Sequence, residues 1–211
     1  MRLPGSIEER LRVLTTERAR LLLATEIAVL DDDEVRVECN LAGLTSCIWL
    51  DLPEQGIKIL RLQGCADFAL LLAQDGEGFE AHVYELTRTV ARQKWDTAKK
   101  QLEGAVLNVL AIAGILGIEI RGVVTYTAFN QDRLSRESSP SLTLLKQSID
   151  PTAIENARRG AEARRSWERG HIWMDVLGRD VEHRRIEAPA AVECRPRASS
   201  GDTLWIFEAS A

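Results

Sequence analysis

The stretch that decides the fold runs from Gly64 to Ala128: GCADFALLLAQ (64–74), DGEG (75–78), FEAHVYELTRTV (79–90), a long helical pattern, and then IEIRGVVTYTA (118–128). Cys65–Gln74 is an apolar run broken near its start by Asp67. Asp75–Gly78 has the Asp-Gly composition of a tight turn, and Phe79–Thr87 reads as the return strand of a hairpin. From Val90 to Leu116 the apolar residues Trp95, Ala98, Leu102, Ala105, Val106, Val109, Ile112, Ala113 and Leu116 keep helical spacing, and Gly117 is a natural stop. The β-branched, alternating segment Ile118–Phe129 predicts a strand in the interior of a sheet.

Working towards the N-terminus, Ser46–Leu52 and Ile57–Leu62 predict strands separated by a turn at Pro53–Gly56, and Val35–Cys39 alternates as a further strand. Residues 6–30 carry apolar positions at helical spacing, and Ser6 with Glu9 makes a capping box, so this segment is expected to be helical. The acidic run Asp31–Glu34 reads as a solvated loop. Towards the C-terminus, Asp132–Ser141 is polar. A helix is expected from Asp150 to about Gly170, with Pro151 at its first position. His171–Leu177 and Val181–Glu187 predict a hairpin through Gly178–Asp180, Ala188–Gly201 a loop, and Thr203–Phe207 a terminal strand. The expected division is an α/β core over 1–130, a linker over 131–150, and an Arg-rich helix with a β extension over 151–211.

The chain has 211 residues, 45% hydrophobic and 28% charged, as globular domains do. Its 27 basic and 32 acidic residues leave a formal charge of −5, so nucleic-acid binding requires a locally basic face. The charged opening MRLPGSIEERLRVL is unlike a signal peptide. The most apolar helical run, Ala105–Ile118, is short of the ~18 residues a membrane span needs. A cytoplasmic location with reduced thiols and no membrane partner is the expectation. Cys39, Cys47 and Cys65 lack the spacing of a zinc finger and read as buried thiols. No hydrolase triad, glycine-rich phosphate loop or dinucleotide fingerprint is recognisable.

Asp67 and Glu85 stand on adjacent predicted strands, and alternation puts Glu85 and Thr87 on one face. Carboxylates in apolar strands are costly unless they are paired or bind a cation. Two of them suit Mg²⁺, which takes one or two carboxylates and keeps its waters. Solvent-facing carboxylates of an ordinary hairpin are the competing explanation.

The order helix, strands, Asp-bearing strand, turn, Glu-Leu-x strand, helix and strand resembles the core of the PD-(D/E)xK, or restriction-endonuclease-like, nuclease superfamily. Asp67 in Gly64–Phe68 and Glu85 in Tyr84–Thr87 carry the resemblance, which covers about residues 6–129. It implies a mixed sheet flanked by helices. It also implies Mg²⁺ held by Asp67, Glu85 and the Leu86 carbonyl, and phosphodiester hydrolysis on DNA. The motif lysine is replaced by Thr87, which supplies no cation. Lys94 or Lys99 on the following helix is then the relocated basic group, and Gln101 occupies the place where related nucleases carry a glutamine. Arg88, Arg92, Lys94, Lys99 and Lys100 form the expected phosphate-contacting patch. The alternative is a non-catalytic subunit of the same fold that binds a protein partner or nucleic acid. In that case the Arg158–Arg169 helix and the Trp173 and Trp205 strands form the docking surface. A protein partner or homo-oligomer is expected under either reading.

Overall fold

The computed structural model describes residues 6–11, 19–22, 27–32, 35–52, 64–73, 78–136 and 151–193. The strand and turn expected over 53–62, the terminal strand over 203–207, and Trp205 lie outside these residues. The architecture is mixed α/β, with two mixed sheets flanked by helices.

The helix α1 (Ile7–Leu11) is followed by β1 (Ala19–Leu22), β2 (Ile27–Asp32), β3 (Val35–Asn40) and β4 (Ser46–Asp51). The capping box is present: Ser6 N–H donates to Glu9 Oε2 at 2.7 Å, and Glu9 N–H donates to Ser6 Oγ at 3.3 Å. The expectation of one helix over 6–30 is corrected, because two of its described segments are strands. In β2 the residues Ala28 and Leu30 are buried while Ile27 is exposed, a period of two that pairing with β3 imposes. The same pairing carries Asp31 and Asp32 into the strand, so the acidic run is not simply a loop.

The central elements are β5 (Phe68–Ala73), β6 (Phe79–Val90), α2 (Arg92–Leu116) and β7 (Ile120–Asp132). Strands β4, β5 and β6 form an antiparallel meander, and β7 returns parallel to β6 after the helix. Nearly every residue of β6 is buried, as expected of a strand covered on both faces. Its odd-numbered residues Ala81 and Val83 pack in a core with α2 residues such as Trp95, Ala98 and Leu102. Its even-numbered Tyr84 and Leu86 pack against the small sheet through Val37, Cys39 and Leu41. Gly117 closes α2 in the left-handed conformation, φ 62°, with its N–H on the Ala113 and Gly114 carbonyls.

After α3 (Pro151–Glu168) come β8 (His171–Met174), β9 (Arg179–Glu187) and β10 (Ala190–Glu193). The larger sheet runs β1-β4-β5-β6-β7-β9-β8, and the smaller β10-β3-β2. Strand β9 is thus parallel to β7 within the main sheet, and α3 covers the same face as α2 through the edge-on contact of Trp95 and Trp167, 4.9 Å apart. Two local expectations change. The β8–β9 turn is Asp175–Gly178, with Arg179 and Asp180 already in β9, and part of the expected 188–201 loop is the strand β10, parallel to β3. Cys39, Cys47 and Cys65 are buried, as expected. Between the two sheets a polar chain is buried: Glu80 Oε2 to His82 Nε2 at 3.0 Å, and His82 Nδ1 to the Tyr126 hydroxyl at 2.9 Å. No described helix is long and apolar enough to cross a membrane.

Candidate functional site

The short segment before β5 is pinned from three sides. Ala66 N–H donates to the Gln101 carbonyl of α2 at 3.1 Å. Asp67 N–H donates to the Tyr84 carbonyl of β6 at 3.1 Å, and Leu52 N–H donates to the Asp67 carbonyl at 2.8 Å. Strand β5 pairs Phe68 with Tyr84 as its last step. One residue further, the Asp67 carboxylate folds over and accepts the Leu86 N–H at 2.6 Å, satisfying a donor that the ending ladder leaves over. A strand residue turns its N–H and C=O to the same edge, so the Leu86 carbonyl faces the Asp67 side as well.

Glu85 points to the α2 face. It is 6% exposed, and its Oε2 has no hydrogen-bond partner among the described residues. Burial pushes its carboxyl up to about 9, and the negative charges of Asp67 and Asp32 add to this. Burial also pushes Asp67 up, to about 6; the Leu86 N–H opposes the rise, while Asp32 and Asp51 increase it. The Cys65 thiol beside them is raised to about 12 by burial and by the same two carboxylates, which leaves it un-ionised and inert as a nucleophile.

A cavity of about 310 Å³ lies over Glu85. Its walls are Glu85 and Thr87 from β6, and Gln93, Lys94, Thr97, Ala98 and Gln101 from α2. Positions 94, 97, 98 and 101 are spaced i, i+3, i+4 and i+7, the stripe one face of a helix presents. The connection from β6 to α2 is the single residue Ala91, so this stripe is turned back over the end of the strand it follows. Glu85, Thr87, Lys94 and Gln101 therefore meet at one cavity, and Asp67 is joined to the same strand through the Leu86 N–H.

The remaining basic residues go elsewhere. Arg88 is exposed, and alternation puts it on the opposite face of β6. Arg92 donates to the Asn156 carbonyl of α3 at 2.8 Å. Lys99 pairs with Asp96 at 2.8 Å and lies over the Trp95 ring. Arg92, Asp96 and Lys99 line a second cavity, of about 360 Å³, with Arg159, Glu162 and Ser166 of α3. Lys100 is exposed on α2. In the Arg-rich helix, Arg159 and Arg164 are paired with Glu155 and Glu168 at 2.9 Å, and Trp173 is 59% exposed on the edge strand β8. Sequence reasoning missed Gln93 and Thr97, although the spacing from Lys94 marks Thr97. It also missed Asp32, whose charge reaches the site from the other sheet.

Among the described residues no three His, Cys, Asp or Glu side chains are grouped so as to hold a metal ion. The donor set that is present comprises the Asp67 carboxyl, the Glu85 carboxyl whose ionisation Asp67 disfavours and whose Oε2 lacks a partner among the described residues, and the Leu86 carbonyl. That suits a hard cation such as Mg²⁺ that brings its own waters. Comparisons with protein-family models, curated proteins and solved structures find no match for this chain.

Proposed function

We propose that the chain is a divalent-cation-dependent phosphodiesterase of the PD-(D/E)xK, restriction-endonuclease-like type acting on DNA, with Lys94 in place of the motif lysine. The observation that carries this reading is the buried Glu85 carboxyl, whose Oε2 has no hydrogen-bond partner among the described residues, on a cavity that Lys94 and Gln101 share. A buried acid without a partner costs stability and calls for a compensating charge. The run of an antiparallel meander β4-β5-β6, the helix α2 and a parallel β7 supports the fold assignment.

Asp67, Glu85 and the Leu86 carbonyl would hold the cation. When bound, it would polarise an attacking water and the phosphate. The chain's own residues do the rest. Glu85 gives up its proton as the cation enters, which couples binding to pH. Lys94 places an ammonium on the cavity wall, where the phosphate gains negative charge, and Gln101 offers a carboxamide to orient it. The hydroxyls of Thr87 and Thr97 donate to the Thr89 and Gln93 carbonyls at 3.4 and 3.2 Å, so at the rim they offer acceptor oxygens.

A second reading, a non-catalytic nuclease-fold subunit, is favoured by the Asp67–Leu86 bond, which gives Asp67 a structural task of its own. Calorimetric titration with Mg²⁺ and Mn²⁺, run beside plasmid nicking, separates the two. The catalytic reading expects cation binding that Glu85→Ala abolishes, and nicking that Lys94→Ala lowers on the order of a hundred- to a thousand-fold. A folded protein that neither binds a divalent cation nor nicks overturns the catalytic reading and is the result the second expects. Binding without nicking excludes catalysis by this chain alone.

A further inference from the structure

Glu85 has a neighbour whose hydroxyl is equally without a partner. In the parallel β6–β7 pair Glu85 stands opposite Thr127, and on the next strand Thr125 stands opposite His183. The odd-numbered Val123 and Phe129 of β7 and Val181 of β9 belong to the core under α2, so Thr127 and His183 share the Glu85 face. Thr127 is fully buried and His183 is 3% exposed. Thr127 Oγ1 and His183 Nε2, like Glu85 Oε2, have no hydrogen-bond partner among the described residues. Three orphaned polar atoms are within the number a native interior leaves, but their clustering on neighbouring strands of one face calls for an explanation such as an ion or ligand.

Their hydrogen-bonding characters are complementary. Thr125 Oγ donates its one proton to the Glu182 carbonyl at 3.0 Å, so at 3.1 Å it accepts from His183 Nδ1. That puts the imidazole proton on Nδ1 and leaves Nε2 a bare acceptor. The hydroxyl of Thr127 stands opposite the Glu85 carboxyl on one side, and on the other side Arg185 is its cross-strand neighbour, with His183 two residues along β9. Cross-strand partners have Cβ atoms roughly 5 Å apart, so a change of side-chain rotamer brings the Thr127 hydroxyl to the Glu85 carboxylate.

We infer that Thr127 is a positioning residue for Glu85: its hydroxyl donates to the carboxylate when a divalent cation occupies the site, fixing which oxygen faces the cation. This rests on the reading of Glu85 as a cation ligand. A hydrogen-bond partner behind a ligating carboxylate commonly sets cation affinity by about 10–100-fold.

The test compares Thr127→Val and Thr127→Ser by calorimetric Mn²⁺ titration and thermal denaturation of the full chain. Valine keeps the shape and deletes a hydroxyl that the cation-free protein leaves unbonded, so the cation-free Tm is expected to be unchanged or higher. The expected result is Mn²⁺ affinity lowered on the order of tenfold or more in Thr127→Val and restored in Thr127→Ser. A purely structural role for Thr127 would move Tm and not the serine-rescued affinity. If the wild type binds Mn²⁺, Glu85→Ala does not, and Thr127→Val binds as the wild type does, the inference is overturned alone. If the wild type binds no Mn²⁺, the cation reading falls together with it.

Discussion

Replacing Glu85 by glutamine should remove most of the pH dependence of stability in the neutral range. The Glu85 carboxyl ordinarily ionises at 4.5 and is raised to about 9 in the fold, chiefly by burial. Between those values the unfolded chain has released the proton that the folded chain keeps. The folded state binds more protons, so stability is fully present below 4.5 and is lost as pH rises towards 9. The slope for one such group is about 1.4 kcal/mol per pH unit. Over roughly two units, from about pH 5.5 to about pH 7.5, the wild type should lose on the order of 3 kcal/mol. For a chain of this size that is a fall in Tm of about 5–10 °C. Asp67, raised to about 6, adds to the slope only at the acidic end of that window, whereas His183, lowered to about 3 chiefly by burial, opposes it up to 6.5, so the Glu85 contribution is the difference between the two proteins' slopes. The glutamine variant has no proton to lose. Its amide carries a burial cost of its own, but one independent of pH, so the slope and not the absolute Tm is the readout. Differential scanning calorimetry of both proteins across the window measures it. Saturating Mg²⁺ should flatten the wild-type slope as well, because the cation selects the ionised form. Parallel slopes for the two proteins without cation would show that Glu85 is already ionised in the fold, and the electrostatic account of the site would be wrong.

The two tasks assigned to Asp67 separate by substitution. Asp67→Ala leaves the Leu86 N–H without its acceptor and should cost about 1–3 kcal/mol in urea denaturation. Asp67→Asn retains an acceptor oxygen, should keep most of that stability, and should still lose cation affinity by calorimetry. On the opposite face of the sheet, Gly122→Ala would bring a Cβ to 2.8 Å from Glu80 Oε1. Because that carboxylate is held by His82, the substitution should destabilise by about 1–3 kcal/mol in the same assay, with cation affinity unchanged.

The elements that the sequence makes legible are those whose local pattern is long and one-sided. Helix α2 shows its buried stripe from Trp95 to Leu116, and the β6 and β7 segments are rich in β-branched and aromatic residues and largely buried on both faces, so their character survives whatever surrounds them. The segment 6–30 misleads because its apolar residues also fit a helix; pairing of Ile27–Asp32 with β3 decides the matter, and pairing is not a local property. Strand β10 is harder still. Ala190–Glu193 has one β-branched residue and is a strand because β3, some 150 residues earlier, offers it a backbone edge. The candidate site divides in the same way. Asp67 and Glu85 stand out as carboxylates among apolar residues, and Lys94 and Gln101 follow from helical spacing. Thr127 and His183 emerge only when β7 is known to lie beside β6 and β9 beside β7, which no local spacing records.

The β6–α2 junction explains how a site can dispense with a basic residue at position 87. A side chain two residues beyond Glu85 on the same strand face lies roughly 6.6 Å along the strand. Because Ala91 alone separates strand from helix, Lys94 comes back over that same face, and Thr87 and Lys94 line one cavity. A long stem from the helix and a long stem from the strand reach the same volume, and two lysines there would repel. The exchange should therefore be nearly symmetrical. Lys94→Thr alone should lower nicking on the order of a hundred- to a thousand-fold, whereas Thr87→Lys combined with Lys94→Thr should recover most of it. Thr87→Lys alone should bring a second cation into the cavity and weaken Mn²⁺ binding. A double variant as inactive as Lys94→Thr, with a wild-type Tm, would mean that Lys94 acts from a position the strand does not reach, and the substitution of helix for strand would have to be abandoned.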